Sequence, residues 1–100
     1  MITRIVLLPI KKERLKEFEL LFDQIKPAIL SFDGCISLNL LEETSDSNTI
    51  TNRFTYSKWS SEAALQNYLQ SPFFLETWPQ VKLCLQTKAL AWTLRGEAKN

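Results

Sequence analysis

The 100-residue chain is 45% hydrophobic and 23% charged, and its 12 Lys and Arg against 11 Asp and Glu leave a net charge of +1. That balance excludes a disordered or membrane-embedded chain, and with no basic stripe to track a phosphate backbone it excludes nucleic acid as a partner. The absence of histidine removes the commonest zinc ligand, the usual proximal haem ligand and every His-dependent triad, so no metal or cofactor is expected.

Ile2 to Leu8 is a β-branched and aliphatic run closed by Pro9, which cannot donate to a ladder, and it predicts a first strand ending there. From Lys12 onward Leu15, Phe18, Phe22, Ile25, Ile29 and Phe32 follow at steps of three and four, a single helical stripe. The mixed charges of Lys11 to Glu17 read as that helix's solvated face. Pro27 costs an interior hydrogen bond and is expected to kink the helix or open a second short one, and Gly34 can take the positive φ of a cap.

Cys35 to Glu42 and Thr49 to Trp59 both alternate, the second with Ile50, Asn52, Phe54 and Tyr56 against Thr51, Arg53 and Thr55. They predict a hairpin whose polar connection, 43–48, lacks a tight-turn pair and is expected to be long and mobile. Ser60 or Ser61 can cap a helix through Leu69, with Glu62 favoured at its start. Ser71-Pro72 restarts the chain as a short helix carrying Phe73, Phe74, Leu75 and Trp78, which Pro79 is expected to end. After a looser stretch, Ala89 to Leu94 predicts a fourth strand with Leu90, Trp92 and Leu94 on one face, and 95–100 a polar tail.

This order predicts one α+β domain over 1–100, with a ferredoxin-like βαββαβ core over 2–94 and a four-stranded antiparallel sheet covered by helices on one face. The uncovered face is assigned Val6 and Leu8 beside Arg4. It is too apolar to stay wet, so the sheet of a second copy is its expected cover. No apolar run approaches the ~20 residues of a spanning helix, so no membrane contact is expected. Cys35 and Cys84, in no metal or redox spacing, read as buried small hydrophobes of a reducing, cytoplasmic compartment.

The segment Tyr56-Ser57-Lys58-Trp59-Ser60-Ser61-Glu62-Ala63-Ala64-Leu65, continued by Tyr68-Leu69-Gln70-Ser71-Pro72-Phe73-Phe74, resembles the antibiotic biosynthesis monooxygenase superfamily of dimeric α/β barrels. In that family the third strand typically ends in a Trp, followed by a Ser-Glu-Ala helix start and a Ser-Pro break. The resemblance implies a homodimer formed through sheet faces and a small aromatic or quinone-like ligand. It also implies either cofactor-independent oxygenation of that ligand or a non-catalytic module of the same fold. The haem-degrading branch uses an Asn on strand one, a Trp in the helix after strand three and a His ten residues beyond. Thr3, Tyr68 and Trp78 stand at those places here, so that chemistry is not expected.

The family pocket lies between each sheet and its own helices. The resemblance therefore points to Thr3, Phe22, Phe54, Tyr56, Tyr68, Phe74, Trp78 and Trp92 as its walls, with Asn52 on the same side of its strand as Phe54 and Tyr56. Two readings stand: these aromatics fill the core, or together they hold a flat ligand by stacking. Tyr56, Tyr68 and the indole of Trp78 or Trp92 can donate to a substrate oxygen. Arg53 is expected to point the other way, either to the subunit interface or to a ladder edge or the surface, and Trp59 to wedge strand against helix. No carboxylate is placed in the pocket, so no catalytic base is named.

Overall fold

The computed structural model describes residues 1–45 and 47–96, so Asp46 of the expected 43–48 connection and the last four residues of the expected tail lie outside the described residues. Its elements run β1 (Ile2–Lys11), a 3-10 turn (Lys12–Arg14), α1 (Leu15–Leu30), β2 (Cys35–Glu42), β3 (Ile50–Trp59), α2 (Glu62–Leu69), α3 (Pro72–Lys82) and β4 (Leu90–Arg95). The strands form an antiparallel sheet in the order β2-β3-β1-β4, the ferredoxin-like α+β arrangement that the element order implies. Among the described residues no helix is long and apolar enough to cross a membrane.

Three prolines test the expected boundaries. β1 continues through Pro9 to Lys11 instead of stopping before it. The Pro9 carbonyl accepts from Gln86 N at 2.8 Å and Lys11 N donates to the Cys84 carbonyl, so this edge of β1 faces the chain entering β4, beyond the last β1–β4 pair at Leu7 and Leu90. A missing N–H there costs no ladder bond with β3. Pro27 sits inside one continuous helix, near its end, and opens no second one. Pro79 likewise does not end α3, because Thr77 and Val81 on either side of it are both buried and hold the next turn in place.

The caps follow from side-chain chemistry. Ser61 Oγ accepts from Ala64 N and Ser71 Oγ from Phe74 N, each at 3.1 Å, with Pro72 at the first position of α3. Gly34 takes φ +84 after α1, and a side chain there would collide with Ala64 and Ser60. Only glycine allows the α1–β2 turn to pass this close to the start of α2.

Directly paired residues of an antiparallel ladder share a face, so the register fixes which side chains lie together. Ile5 pairs with Tyr56 and Trp92, and Leu7 with Phe54 and Leu90. These six side chains occupy the face away from the helices, where Leu90, Trp92, Leu94 and Leu41 remain about half exposed. The expected assignment of faces is thus reversed. Arg4, Val6 and Leu8 point toward the helices together with Thr55 and Ser57, and the uncovered face belongs to their odd-numbered neighbours on β1. Both alternate sets of β1 are apolar, so parity alone could not say which looked inward. Arg53 is corrected with them. It is buried on the helix side, where its Nη1 donates to Thr51 Oγ1 at 2.9 Å and its Nη2 meets Glu42 at 3.4 Å.

Candidate functional site

Between the inner face of the sheet and the three helices lies a cavity of about 250 Å³. β1 supplies Arg4, Val6 and Leu8 to its floor, β2 Leu38, and β3 Thr55, Ser57 and Trp59. The stripe of α1 provides Phe18, Phe22, Ile25 and Ile29 as one wall, which is why its apolar residues recur at three and four. The opposite wall comes from Leu65, Tyr68 and Leu69 on α2 and Phe74, Thr77, Trp78 and Val81 on α3.

The aromatics form a connected set with Tyr68 at its centre. Its ring stacks on Trp59 with centroids 5.2 Å apart, and meets Phe74 edge-on at 5.2 Å and Phe32 at 5.1 Å. Phe74 in turn stacks on Trp78 at 5.9 Å. Trp59 is fully buried, as a wedge between strand and helix should be, and its indole N–H donates to Ser57 Oγ at 3.0 Å. Offset and edge contacts of this kind keep the rings in fixed planes, so the space they bound keeps its shape.

Of the residues expected on the pocket wall, Phe22, Tyr68, Phe74 and Trp78 line the cavity. Thr3, Asn52, Phe54, Tyr56 and Trp92 do not. They share the outer face of the sheet, on the far side from the helices. The expectation followed the apolar set of β3 inward because a lone domain buries apolar residues under its helices. In this sheet the polar set, Thr55 and Ser57, goes in. The strand-one residue that reaches the cavity is accordingly Arg4, and Thr3 faces out.

Sequence reasoning missed Arg4, Thr55 and Ser57, though a charge set among β1 aliphatics was a signal that this position has a special environment. The Arg4 Nη1 donates to Thr93 Oγ1 at 2.7 Å, while its Nε is buried without a hydrogen-bond partner among the described residues. Burial pushes the guanidinium down from its ordinary value, opposed by the Tyr68 hydroxyl, and an arginine nonetheless stays charged. Burial also pushes the Tyr68 hydroxyl up to about 12, with Cys35 adding to the shift and Arg4 opposing it.

At neutral pH Tyr68 is therefore a neutral phenol, a hydrogen-bond donor and not a base. No lining residue is a carboxylate or a histidine, and among the described residues no three His, Cys, Asp or Glu side chains gather to hold a metal. The arrangement can stack a flat apolar molecule and donate hydrogen bonds to its oxygens. It has no evident group for taking a proton from it.

The family model described as antibiotic biosynthesis monooxygenase matches residues 1–79. A conserved protein from Methanosarcina mazei Go1 superposes with a TM-score of 0.83 at 23% identity, over 97% of this chain and 94% of that one. A solved antibiotic biosynthesis monooxygenase gives 0.85 at 15% identity over 98% and 100%. SnoaB, a cofactor-independent oxygenase from Streptomyces nogalater, gives 0.83 at 15% over 98% and 94%. At these identities the likeness is one of fold. No curated protein matches the chain.

Proposed function

The chain belongs to the antibiotic biosynthesis monooxygenase family, and from that premise we propose that it is a homodimeric domain that binds a small aromatic or quinone-like molecule and oxygenates it without metal or flavin. The observation that carries this reading is the cavity: about 250 Å³, walled by rigid aromatic rings, and roofed by the chain's own helices. That volume lies just below the range for drug-sized ligands, so the occupant is one of two or three fused rings at most. Phe22, Tyr68, Phe74 and Trp78 are the ligand-contacting residues of this proposal. The name of SnoaB supports the reaction type for a chain of this fold.

In such a reaction an acidic ring CH₂ loses a proton and the resulting carbanion passes electrons to O₂. One oxygen atom stays on the carbon as a carbonyl and the other leaves as water. The protein's part is to exclude bulk water, hold the ring against Trp78, and place the Tyr68 hydroxyl and the Arg4 guanidinium where the substrate oxygen becomes negative. Because the cavity wall offers no base, the substrate gives up its proton to bulk water before it enters, which enolisation to an aromatic ring hydroxyl makes feasible, and the peroxide oxygen that leaves takes its protons from water in turn.

A second copy covers the outer face. Ile5, Leu7, Phe54, Tyr56, Leu90 and Trp92 make a contiguous apolar patch with no helix over it, the kind of surface that marks an interaction site. Asn52 and Thr3 lie at the margins of this proposed interface. The two cysteines are both free, which fits a reducing cytoplasmic setting.

Oxygen uptake tests the reading. With an anthrone as substrate the wild-type protein consumes one O₂ per ring oxidised, and Trp78→Ala lowers the rate at least tenfold. The missing base favours a second reading, a non-catalytic binding module, which predicts saturable binding of the same anthrone with no oxygen uptake above the uncatalysed rate.

A further inference from the structure

We infer that the cavity selects ligands bearing one anionic oxygen group, a carboxylate or an ionised ring hydroxyl, and that Arg4 is the residue that selects them. This rests on the reading of the cavity as a ligand site and narrows it to a substrate class. Among the described residues Arg4 is the only charged one on the cavity wall, and none there is a carboxylate to neutralise it. A charge partly withdrawn from water without a counter-ion is costly, and the cost is relieved when a partner of opposite sign arrives.

The orientation of the guanidinium sharpens the chemistry. One amino group is spent on Thr93, and the buried Nε–H has no partner among the described residues. The Nε–H and the second amino group form one edge of the planar fork. That edge meets a carboxylate with two parallel hydrogen bonds, or a ring oxyanion with one or two. Tyr68 is close enough to Arg4 to oppose the fall in its pKa, and its proton is held firmly, so it supplies a neutral donor to the same oxygen group.

A second feature points the same way. An open groove adjoins the cavity, sharing Trp78 and Ala89 with it, and carries Lys82 and Lys88 with no carboxylate among its lining residues. The groove beside the cavity is therefore cationic, although the whole chain carries a net charge of only +1. Clefts lined by one sign of charge draw in ligands of the other.

Isothermal titration calorimetry with three two-ring probes decides the matter: 1-naphthoate, ionised 2-hydroxy-1,4-naphthoquinone and neutral 1,4-naphthoquinone. The expected result is that at least one anion binds the wild-type protein tenfold or more tighter than the neutral quinone. Whichever anion binds tighter identifies the carboxylate or the ring oxyanion as the preferred group. Arg4→Met is expected to erase the preference, weakening the anions at least tenfold more than the neutral quinone, and Arg4→Lys to restore part of it.

Equal affinity for anions and the neutral quinone in the wild type overturns the inference and leaves the ligand-site reading intact. Failure of all three probes to bind overturns both. The wild-type comparison needs no substitution, so it decides even if the Arg4 variants do not fold. A preference that persists in a folded Arg4→Met protein also refutes the assignment to Arg4.

Discussion

On the helix side of the sheet Arg4, Thr55 and Ser57 stand among the apolar walls of a cavity, whereas the opposite side presents Ile5, Leu7, Phe54, Tyr56 and Trp92 with no helix over them. A solitary two-layer domain has this the other way round, apolar under its helices and polar toward water. Polarity on the inner face is placed by local partners: Ser57 Oγ accepts from the Trp59 indole and Arg4 Nη1 donates to Thr93, among the buried apolar side chains of Leu8 and Leu38. The outer face carries its apolar side chains with no helix above them, a pattern typical of interaction surfaces.

The contrast can be broken from either side. The largest effect is expected from Trp92→Asp, which puts a carboxylate in the middle of the outer patch. It should leave the fold intact, because Trp92 is already 43% exposed within one chain, and convert a dimer to monomers by sedimentation. An unchanged mass would mean that this face is not the interface. Next comes Phe18→Ala on the inner side. Phe18 is fully buried, so truncation should cost about 3–5 kcal/mol in denaturant unfolding. A loss well under that range would mean the cavity wall is loose.

A pH series sharpens the account of Tyr68. Its folded value lies above its unfolded value of 10.0, at about 12. The stability it contributes is thus fully present below pH 10 and is lost as pH rises toward 12. Wild type should lose more stability over that window than Tyr68→Phe. The raised thiols of Cys35 and Cys84 act in the same direction and are present in both proteins, so only the coupling of Cys35 to Tyr68 carries into the difference. Parallel pH curves would place the Tyr68 hydroxyl in water. The smallest effect is Ser61→Ala, which removes the Oγ acceptor for Ala64 N and should lower stability by about 1 kcal/mol in thermal unfolding. No change would mean that water caps α2 equally well.

Much of the fold was legible because local signals agreed with one another. The three-four spacing of Leu15 to Phe32, the serine caps at 61 and 71 and Gly34 each have one structural solution, and the structure adopts it. The prolines misled where tertiary context supplied what the local rule lacked: an edge without a ladder at Pro9, and buried neighbours on both sides of Pro79.

The site was legible only in its helical half. Phe22, Tyr68, Phe74 and Trp78 could be placed because a helix has one buried stripe. A strand between two apolar environments has two equivalent faces, and Asn52, Phe54, Tyr56, Trp92 and Thr3 fell on the other one. Arg4 was the clue, since a charge between Ile2 and Val6 on one face needs a polar environment, which the inner side supplies through Thr93 and the cavity.

The central claim, that one side of this sheet serves a ligand and the other a second copy of the chain, is tested most directly by sedimentation equilibrium of the wild-type protein at micromolar concentration. A mass twice that of the 11.6 kDa chain is expected. A protein that sediments at the mass of one chain across that range, with Leu90, Trp92 and Leu94 left in water, would contradict it.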